Sequence, residues 1–462
     1  MWTHHGLVVL LTILTSITAH LGIAAPPNSS GNFHRNRRDI GSNDVIRGVN
    51  LGGWLLTEEW ITPSIYTNGA EDEYHLCADL GKKKCLSRLE DHWKSFFTRD
   101  DFEEIKAAGL NSVRIPIGYW AVDVRDDEPY VSGQNPYLIQ AVNWASELGL
   151  TVLLDLHGAP GSQNGQDNSG LIGPVLFPTN TSNTERSISV LKNLTEEFAK
   201  DIYGSTVIGI ELLNEPRLSN NFSMSQLKEF YSDAAEVISG VDGNMNVFMH
   251  DAFWGPQYWS DYNPLSNSTS SNSNNFIIDT HQYYAFEPLN NLAHNVILEK
   301  VCNISKLLKN RELGILPTLV GEWSLETGHS PNSSSSSIQN KDDSREKRTW
   351  FRLFFEAQLA AYSPDSNSVG DQPSRGWYYW TWKTDYDIDT WSYKRGVAQG
   401  YIPKDVSNSS TLVFPILDNG CVDSSYNYTA PKNPGSGAIR HCPSGLLAVS
   451  MVIVTISFFC IL

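Results

Sequence analysis

The chain has 462 residues, 40% hydrophobic and 18% charged, which is enough to build a large globular body. A formal charge of -17 leaves no basic surface for phosphate, so nucleic acid is excluded as a partner and an anionic membrane surface fits poorly. A neutral substrate suits this balance, and the 14 Trp need either a core or a flat ligand such as a sugar ring.

At the start, an apolar run over residues 7–19 follows His4 and His5 and gives way to small residues up to Ala25. This reads as a secretory signal peptide over 1–25. The motif "RNRRD" at 35–39 reads as a dibasic processing site, with cleavage after Arg38 and a propeptide over 26–38; a solvated basic turn is the alternative.

From residue 39 the pattern alternates between apolar strands and amphipathic helices. "VIRGVNLGG" is strand-like, and a helix begins at Thr98, where Thr98 and Asp101 have capping-box spacing, and ends at Gly109. "NSVRIPIGYW" is a strand, "NPYLIQAVNWASELGL" a helix and "TVLLDLHG" a strand. A helix over 187–200 precedes "TVIGIELLNEP", and one over 225–238 precedes "NVFMHDAFW". "NFIIDTHQYY", a helix over 292–308, "LPTLVGEWS", a helix over 348–361 and "GWYYWTWK" complete the series. The strand bodies are apolar throughout, as expected of parallel strands buried on both faces. Eight β/α units predict a single-domain (β/α)8 TIM barrel over 39–425. A doubly wound open sheet is the alternative, but no glycine-rich phosphate loop follows the first strand. Runs rich in Ser and Asn at 263–275 and 330–344 read as surface insertions.

Residues 445–462 form a second apolar run, preceded by a polar spacer over 426–444 with small residues ("NPGSG"). This is the arrangement of a GPI attachment signal, with Asn433, Gly435, Ser436 or Gly437 as the attachment residue; a tail-anchored span is the alternative. Of six Cys, Cys442 and Cys460 fall in or near that tail. Cys77 and Cys85 can close a short loop, which leaves Cys302 and Cys421 to pair by elimination. Acceptor sequons at Asn180, Asn193, Asn221, Asn267, Asn303, Asn332, Asn408 and Asn427 agree with passage through the secretory route. The expected product is a secreted monomer held at the cell surface or wall by a lipid anchor.

Each strand ends in polar or aromatic residues: Asn50, Arg114, His157, Asn214 with Glu215, Asp251, His281 with Tyr283, Glu322 and Trp380. Taken singly, each has a structural explanation; together they mark the carboxyl-terminal face where barrels build their sites. Glu215 after strand four and Glu322 after strand seven are a candidate pair for glycoside hydrolysis. That reaction needs one acid for the leaving oxygen and one carboxylate for the oxocarbenium-like carbon. Arg114 is expected to hold Glu322 ionised, and a desolvated aromatic surrounding to keep Glu215 protonated. Glu211 shares a face with Glu215 by alternation and, if buried, needs a partner, which makes it structural. Neither a metal nor another cofactor is expected.

The motifs "RGVNLGGWL", "VRIPIGYW", "DLHGAPGSQNG", "LLNEP", "HQYY", "GEWS" and "YYWTWK" stand in the order seen in fungal exo-β-1,3-glucanases of glycoside hydrolase family 5, which the chain resembles over 45–422. The resemblance implies a retaining, metal-free barrel acting on cell-wall β-glucan, with Glu215 as acid/base and Glu322 as nucleophile. It further implies that Asn214 bonds the sugar 2-hydroxyl, that Arg114, His157, His281 and Tyr283 line the reacting subsite, and that Trp380 is the sugar platform. It also implies the Cys302–Cys421 pair. Two departures stand out. Of two phenylalanines flanking the acceptor sugar, Phe286 matches one, but Gln166 holds the other position; and Cys77 with Cys85 is an addition. A polar entrance keeps β-1,6 cleavage and sugar transfer open as alternatives. An inactive wall-glucan-binding protein is the alternative from another class.

Overall fold

Eight short parallel strands close on themselves in chain order. They are β1 (Ile46–Asn50), β2 (Ser112–Gly118), β3 (Thr151–Gly158), β4 (Val207–Glu211), β5 (Asn246–His250), β6 (Phe276–Gln282), β7 (Thr318–Trp323) and β8 (Ser374–Tyr379). This computed structural model describes residues 45–66, 69–266, 276–290, 292–328, 345–365, 370–386 and 388–431. The signal peptide, the propeptide, most of the polar spacer, the apolar tail and most of the two insertions lie outside the described residues, as do Asn267 and Asn332.

The helices are α1 (Glu73–Leu80), α2 (Lys82–Ser95), α3 (Arg99–Ala107), α4 (Asn135–Leu148), α5 (Thr181–Phe198), α6 (Met224–Val241), α7 (His294–Leu308), α8 (Arg345–Tyr362) and α9 (Tyr393–Gln399). The predicted capping at Thr98 is present, with Asp101 accepting from the Thr98 N–H at 3.0 Å. α4 carries a proline in its first turn and stops at Gly149, whose φ of 64° places it in the left-handed region. The pattern missed α1, α2 and α9, and it started α5 six residues late. α1 and α2 form a hairpin between β1 and β2 that adds a layer to the repeating unit. Asp72 caps α1, and the Cys77–Cys85 disulfide joins the two helices across Gly81. α2 is held to the loop after β1 by the Trp54 indole N–H, which donates to the Trp93 carbonyl at 2.8 Å.

Two apolar layers result. The larger lies between sheet and helices; the smaller is a plug inside the barrel made of Ile46, Leu153, Ile208, Phe248, Ile277, Leu319 and Tyr378, drawn from seven strands. Burying each such side chain contributes about 1.5–3 kcal/mol. Above this plug the barrel interior turns polar, and there the site begins.

The other disulfide joins Cys302 on α7 to Cys421, so both bridges match the expected pairs. The asparagines of the six described sequons, Asn180, Asn193, Asn221, Asn303, Asn408 and Asn427, are all exposed. Among the described residues no helix is long and apolar enough to cross a membrane.

The bridges differ in the length of chain they close, 119 residues against 8. Replacing Cys302 and Cys421 by Ser is therefore expected to lower stability by about 2–4 kcal/mol, and by more than the same change at Cys77 and Cys85. Denaturant midpoints of the two double variants check this order.

Candidate active site

Arg114 organises the polar half of the barrel. It is the third residue of β2 rather than a strand end, and its fully buried side chain rises through the interior. Its Nε donates to Glu211 at 2.9 Å, and its Nη1 to Asn50 at 3.0 Å and Glu322 at 2.9 Å. Nη2 donates to Asn214 at 2.9 Å and lies 3.1 Å from Asp155. Glu211 is thus a structural partner, as expected. It does not share a face with Glu215 through strict alternation, however. β4 ends at Glu211, Leu212 and Leu213 pack in the outer core, and the chain then brings Asn214 and Glu215 inward, with Glu215 at φ 45°.

Glu322 reaches the interior by another irregularity. Leu319 faces the plug and Val320 the outer core, so alternation would place Gly321 and Trp323 inward. The register between β6 and β7 shifts at this point, pairing Thr280 with Val320 but His281 with Glu322. Both Gly321 and Glu322 then face inward, while Trp323 packs outside. Gly321 is required here, because a Cβ would stand 2.1 Å from the Asp279 carboxylate, which accepts from its N–H.

Glu322 is held at both oxygens, Oε1 by Arg114 and Oε2 by the Tyr283 hydroxyl at 2.7 Å. Glu215 accepts from His281 Nδ1 at 2.6 Å and from the Asn168 amide at 3.0 Å. His281 Nδ1 also lies 3.4 Å from Glu322 Oε2. Since both distances meet at one nitrogen, Glu215 Oε1 and Glu322 Oε2 lie within about 6 Å of each other, closer than the roughly 6.5–9.5 Å that an intervening water requires.

Burial acts to raise the Glu215 carboxyl, but the hydrogen bond from His281 and its charge outweigh burial and bring the group to about 2. This corrects the expectation that desolvation keeps Glu215 protonated. Burial holds Glu322 above the ordinary carboxylate range, although His281 and Arg114 pull it down. Burial opposes a charge on His281, yet Glu322 and Asp279 hold the imidazole well above its usual range. Across one short bond the two groups are thus pulled in opposite directions, the Glu215 carboxyl down and the His281 imidazole up.

The remaining sequence candidates gather around these groups. His157 donates from Nδ1 to Asp155 at 2.5 Å, and its ring lies parallel to Trp380, with centroids 5.5 Å apart. The Asn214 amide nitrogen is 3.3 Å from His157 Nε2. Phe286 stands exposed at the rim with its ring 5.6 Å from that of Tyr283, and Gln166 is exposed on the loop after β3. Asp251 is not part of the mouth: it accepts from Thr280 and the Phe253 N–H and braces the loop, and His250 takes the inward place on β5. Sequence reading also missed Asn168, Trp391 and Glu58. Trp391 packs 5.4 Å from Tyr283. Burial and the charges of Asp167, Glu322 and Glu215 keep the Glu58 carboxyl well above its usual range. The "NGQDNSG" loop held the only clue to Asn168, an amide among turn residues.

Two trios bring possible metal ligands within 4.8 Å of one another: Glu215, His250 and His281, and Glu211, Asp279 and His281. Neither donor set suits a cation. Arg114 already occupies Glu211, and the Ala252 N–H donates to His250 Nδ1 at 3.0 Å, which leaves the proton on Nε2.

Residues 78–385 match the family model described as Cellulase (glycosyl hydrolase family 5). The chain is 36% identical over 394 residues to the probable glucan 1,3-beta-glucosidase A of Aspergillus clavatus, covering 78% of this chain and 88% of that one. It is 38% identical over 400 residues to the glucan 1,3-beta-glucosidase of Blumeria graminis, covering 79% and 88%. Among solved structures, the rutinosidase of Aspergillus niger superposes with a TM-score of 0.64 at 22% identity over 79% of this chain and 98% of that one, a likeness of fold.

Replacing Arg114 with Met would strand Glu211, Asp155 and Glu322 without their cation in a buried setting. The expected cost is about 3–5 kcal/mol of stability, read as a drop in the denaturant midpoint.

Proposed function

The chain belongs to glycoside hydrolase family 5, and from that premise we infer a retaining β-glucan hydrolase that releases glucose from the ends of β-1,3-glucan chains. The observation that carries this reading is the approach of Glu215 and Glu322 within about 6 Å, each oriented by its own donors. At that separation a sugar carbon can meet Glu322 directly. The intact acid, base and donor set disfavours an inactive wall-binding protein.

In the first step a Glu322 oxygen attacks the anomeric carbon while the bond to the leaving oxygen breaks and Glu215 supplies its proton. Arg114 favours the ionised form of the attacking carboxylate against burial, and Arg114 and Tyr283 together aim it. The proton reaches Glu215 from His281 Nδ1, 2.6 Å away. A sugar filling the mouth expels water and so disfavours the separated charges, shifting the pair toward neutral acid and neutral imidazole. In the second step Glu215 takes a proton from water, whose oxygen displaces Glu322 and releases the sugar with its configuration retained. Asn214, fixed by Arg114 and Gln163, directs its amide at the sugar 2-hydroxyl, and Trp380 carries the ring. Export is supported by the two disulfides and the exposed sequon asparagines; lipid anchorage is read from residues 426–462 of the sequence alone.

Glu322→Gln is expected to lose roughly 10³-fold or more in turnover of laminarin while still binding it. Glu215→Gln is expected to lose about 10²–10⁴-fold on glucan, and less on an aryl glucoside whose leaving group needs no proton. Proton NMR of the first product must show the β-anomer; α-glucose, or full activity of Glu322→Gln, would overturn the role assignment.

The pH profile follows from the same groups. Glu322 must be ionised to attack, and its carboxyl is raised, so kcat/KM is lost as pH falls through a midpoint above the ordinary value of ~4.3. The proton held by His281 is raised too, so the alkaline limb should lie above ~6.5. A kcat/KM profile on an aryl β-glucoside measures both limbs, and an acid limb at or below ~4.3 would contradict the assignment.

A further inference from the structure

The α1–α2 hairpin takes no part in the chemistry above, yet the start of α1 is tied to the loops after β1 and β3. Asp72 and Glu73 are both buried there. One oxygen of Asp72 accepts from the His75 N–H at 2.7 Å and so caps the helix. The other accepts from the Ile172 N–H at 2.8 Å, on the loop after β3. His75 Nδ1 lies 2.8 Å from the same carboxylate, with the His75 side chain half exposed. The Tyr74 N–H donates to the Gly170 carbonyl at 3.0 Å, and the Tyr130 hydroxyl donates to the same oxygen at 2.8 Å. Glu73 accepts from the Trp120 indole at 2.7 Å and from the Thr57 N–H at 2.9 Å, on the loop after β1.

Gly170 and Ile172 follow closely on Asn168, whose amide donates to Glu215 at 3.0 Å. Within its own loop Asn168 is held by Asn164, which donates to its side-chain oxygen at 2.9 Å and leaves its NH2 for Glu215. The backbone that carries it is a single 3-10 turn, Asp167–Ser169, closed by the Gly170 N–H bond to the Asp167 carbonyl at 2.8 Å. Such turns have poor hydrogen-bond geometry, so the loop needs an anchor outside itself. Part of it is Trp120, stacked on Tyr130 with centroids 4.1 Å apart. A Cβ at Gly170 would stand 2.2 Å from the Trp120 ring, so only glycine lets the loop lie this close. The rest is α1, which the Cys77–Cys85 bridge holds to α2 one turn beyond Glu73.

We propose that Asp72 is a positioning residue for the reaction: by anchoring the segment just after Asn168, it holds that amide against Glu215. Its effect falls mainly on the second step, in which Glu215 must be aimed at the water whose proton it takes. The role rests on the glucan-hydrolase reading and gives the hairpin a task within it.

The test uses a dinitrophenyl β-glucoside, whose leaving group departs without a proton, so that breakdown of the glycosyl ester limits kcat. Asp72→Ser keeps a capping oxygen on α1 but is too short to reach Ile172. It is expected to lower kcat roughly ten- to 100-fold and KM with it, leaving kcat/KM nearly unchanged. Azide needs no base: its nitrogen attacks the anomeric carbon, the bond to Glu322 breaks, and Glu322 leaves as the carboxylate. Added azide is therefore expected to restore kcat and to yield β-glucosyl azide. Asn168→Ala is expected to behave alike, and Asp72→Ser placed on top of it to cost nothing more. Losses that multiply in the double variant, no loss in either single variant, or a loss that azide leaves in place would overturn the positioning role while the hydrolase reading stands. If Asp72→Ser does not fold, Asp72→Asn replaces it, since its oxygen keeps the cap while its NH2 turns toward the Ile172 N–H. Failure of the unaltered protein to cleave the glucoside with retention would overturn the reading itself, and the role with it.

Discussion

A guanidinium sealed inside a barrel is unfavourable unless each of its N–H groups finds an acceptor, since the desolvation of one ion amounts to several kcal/mol. Arg114 meets that condition through Glu211, Asn50, Glu322, Asn214 and Asp155, contributed by β1, β3, β4, β7 and the loop after β4. A lysine could not replace it, because the bonds radiate from a planar fork with donors on three nitrogens. Asn214 and Glu322 stand where they do because both are bonded to the same rigid group. The charge that neutralises the barrel interior is thus also the jig that sets the mouth. Glu211 completes this: burial pushes its carboxyl well above the usual range even against Arg114, so the interior need not hold every acid as an anion.

The mouth is made from departures from regular structure. A smooth β7 would direct Trp323 inward and Glu322 outward; the shift against β6 reverses this. A regular continuation of β4 would bury Leu213 in the mouth, whereas the chain leaves the ladder after Glu211 and holds Glu215 at φ 45°. The same strain recurs at Ala252 and Phe253. These conformations are tolerated because the surrounding β-ladders and the apolar plug fix the ends of each irregular segment.

This division explains what could be read from the chain alone. Parallel strands buried on both faces show as apolar runs, and the helices between them have one apolar stripe, so the barrel and its strand order were legible. The α1–α2 hairpin was not, because "GKKKCLSRLEDHWKS" has few apolar positions and no strand next to it to suggest a repeat unit. Within the site, residue type and strand-end position exposed Glu215, Glu322, His157, His281 and Trp380. Residues that act across the chain stayed hidden: Asn168 reaches Glu215 from a loop, Trp391 reaches Tyr283 from beyond β8, and His250 displaces Asp251 by one position. The protonation of Glu215 was misjudged for the same reason. It depends on an imidazole 66 positions away that no local pattern places at 2.6 Å.

That imidazole also bears on how one carboxyl can serve two opposite purposes. With the roles proposed, Glu215 must be an acid in the first step and a base in the second. Glu322 is the largest influence holding a proton on His281, and Glu215 in turn raises Glu322, so the three groups titrate as a unit. Once Glu322 is tied up as a glycosyl ester its charge is gone. His281, having passed its proton on in the first step, is then not drawn to take up another, and Glu215 no longer faces a like charge within about 6 Å, so its anion becomes easier to hold. The covalent intermediate therefore sets its own general base, through the same separation that allows the intermediate to form. A water-wide gap between the two carboxyls would weaken that coupling, and with it the reason for placing one histidine between them.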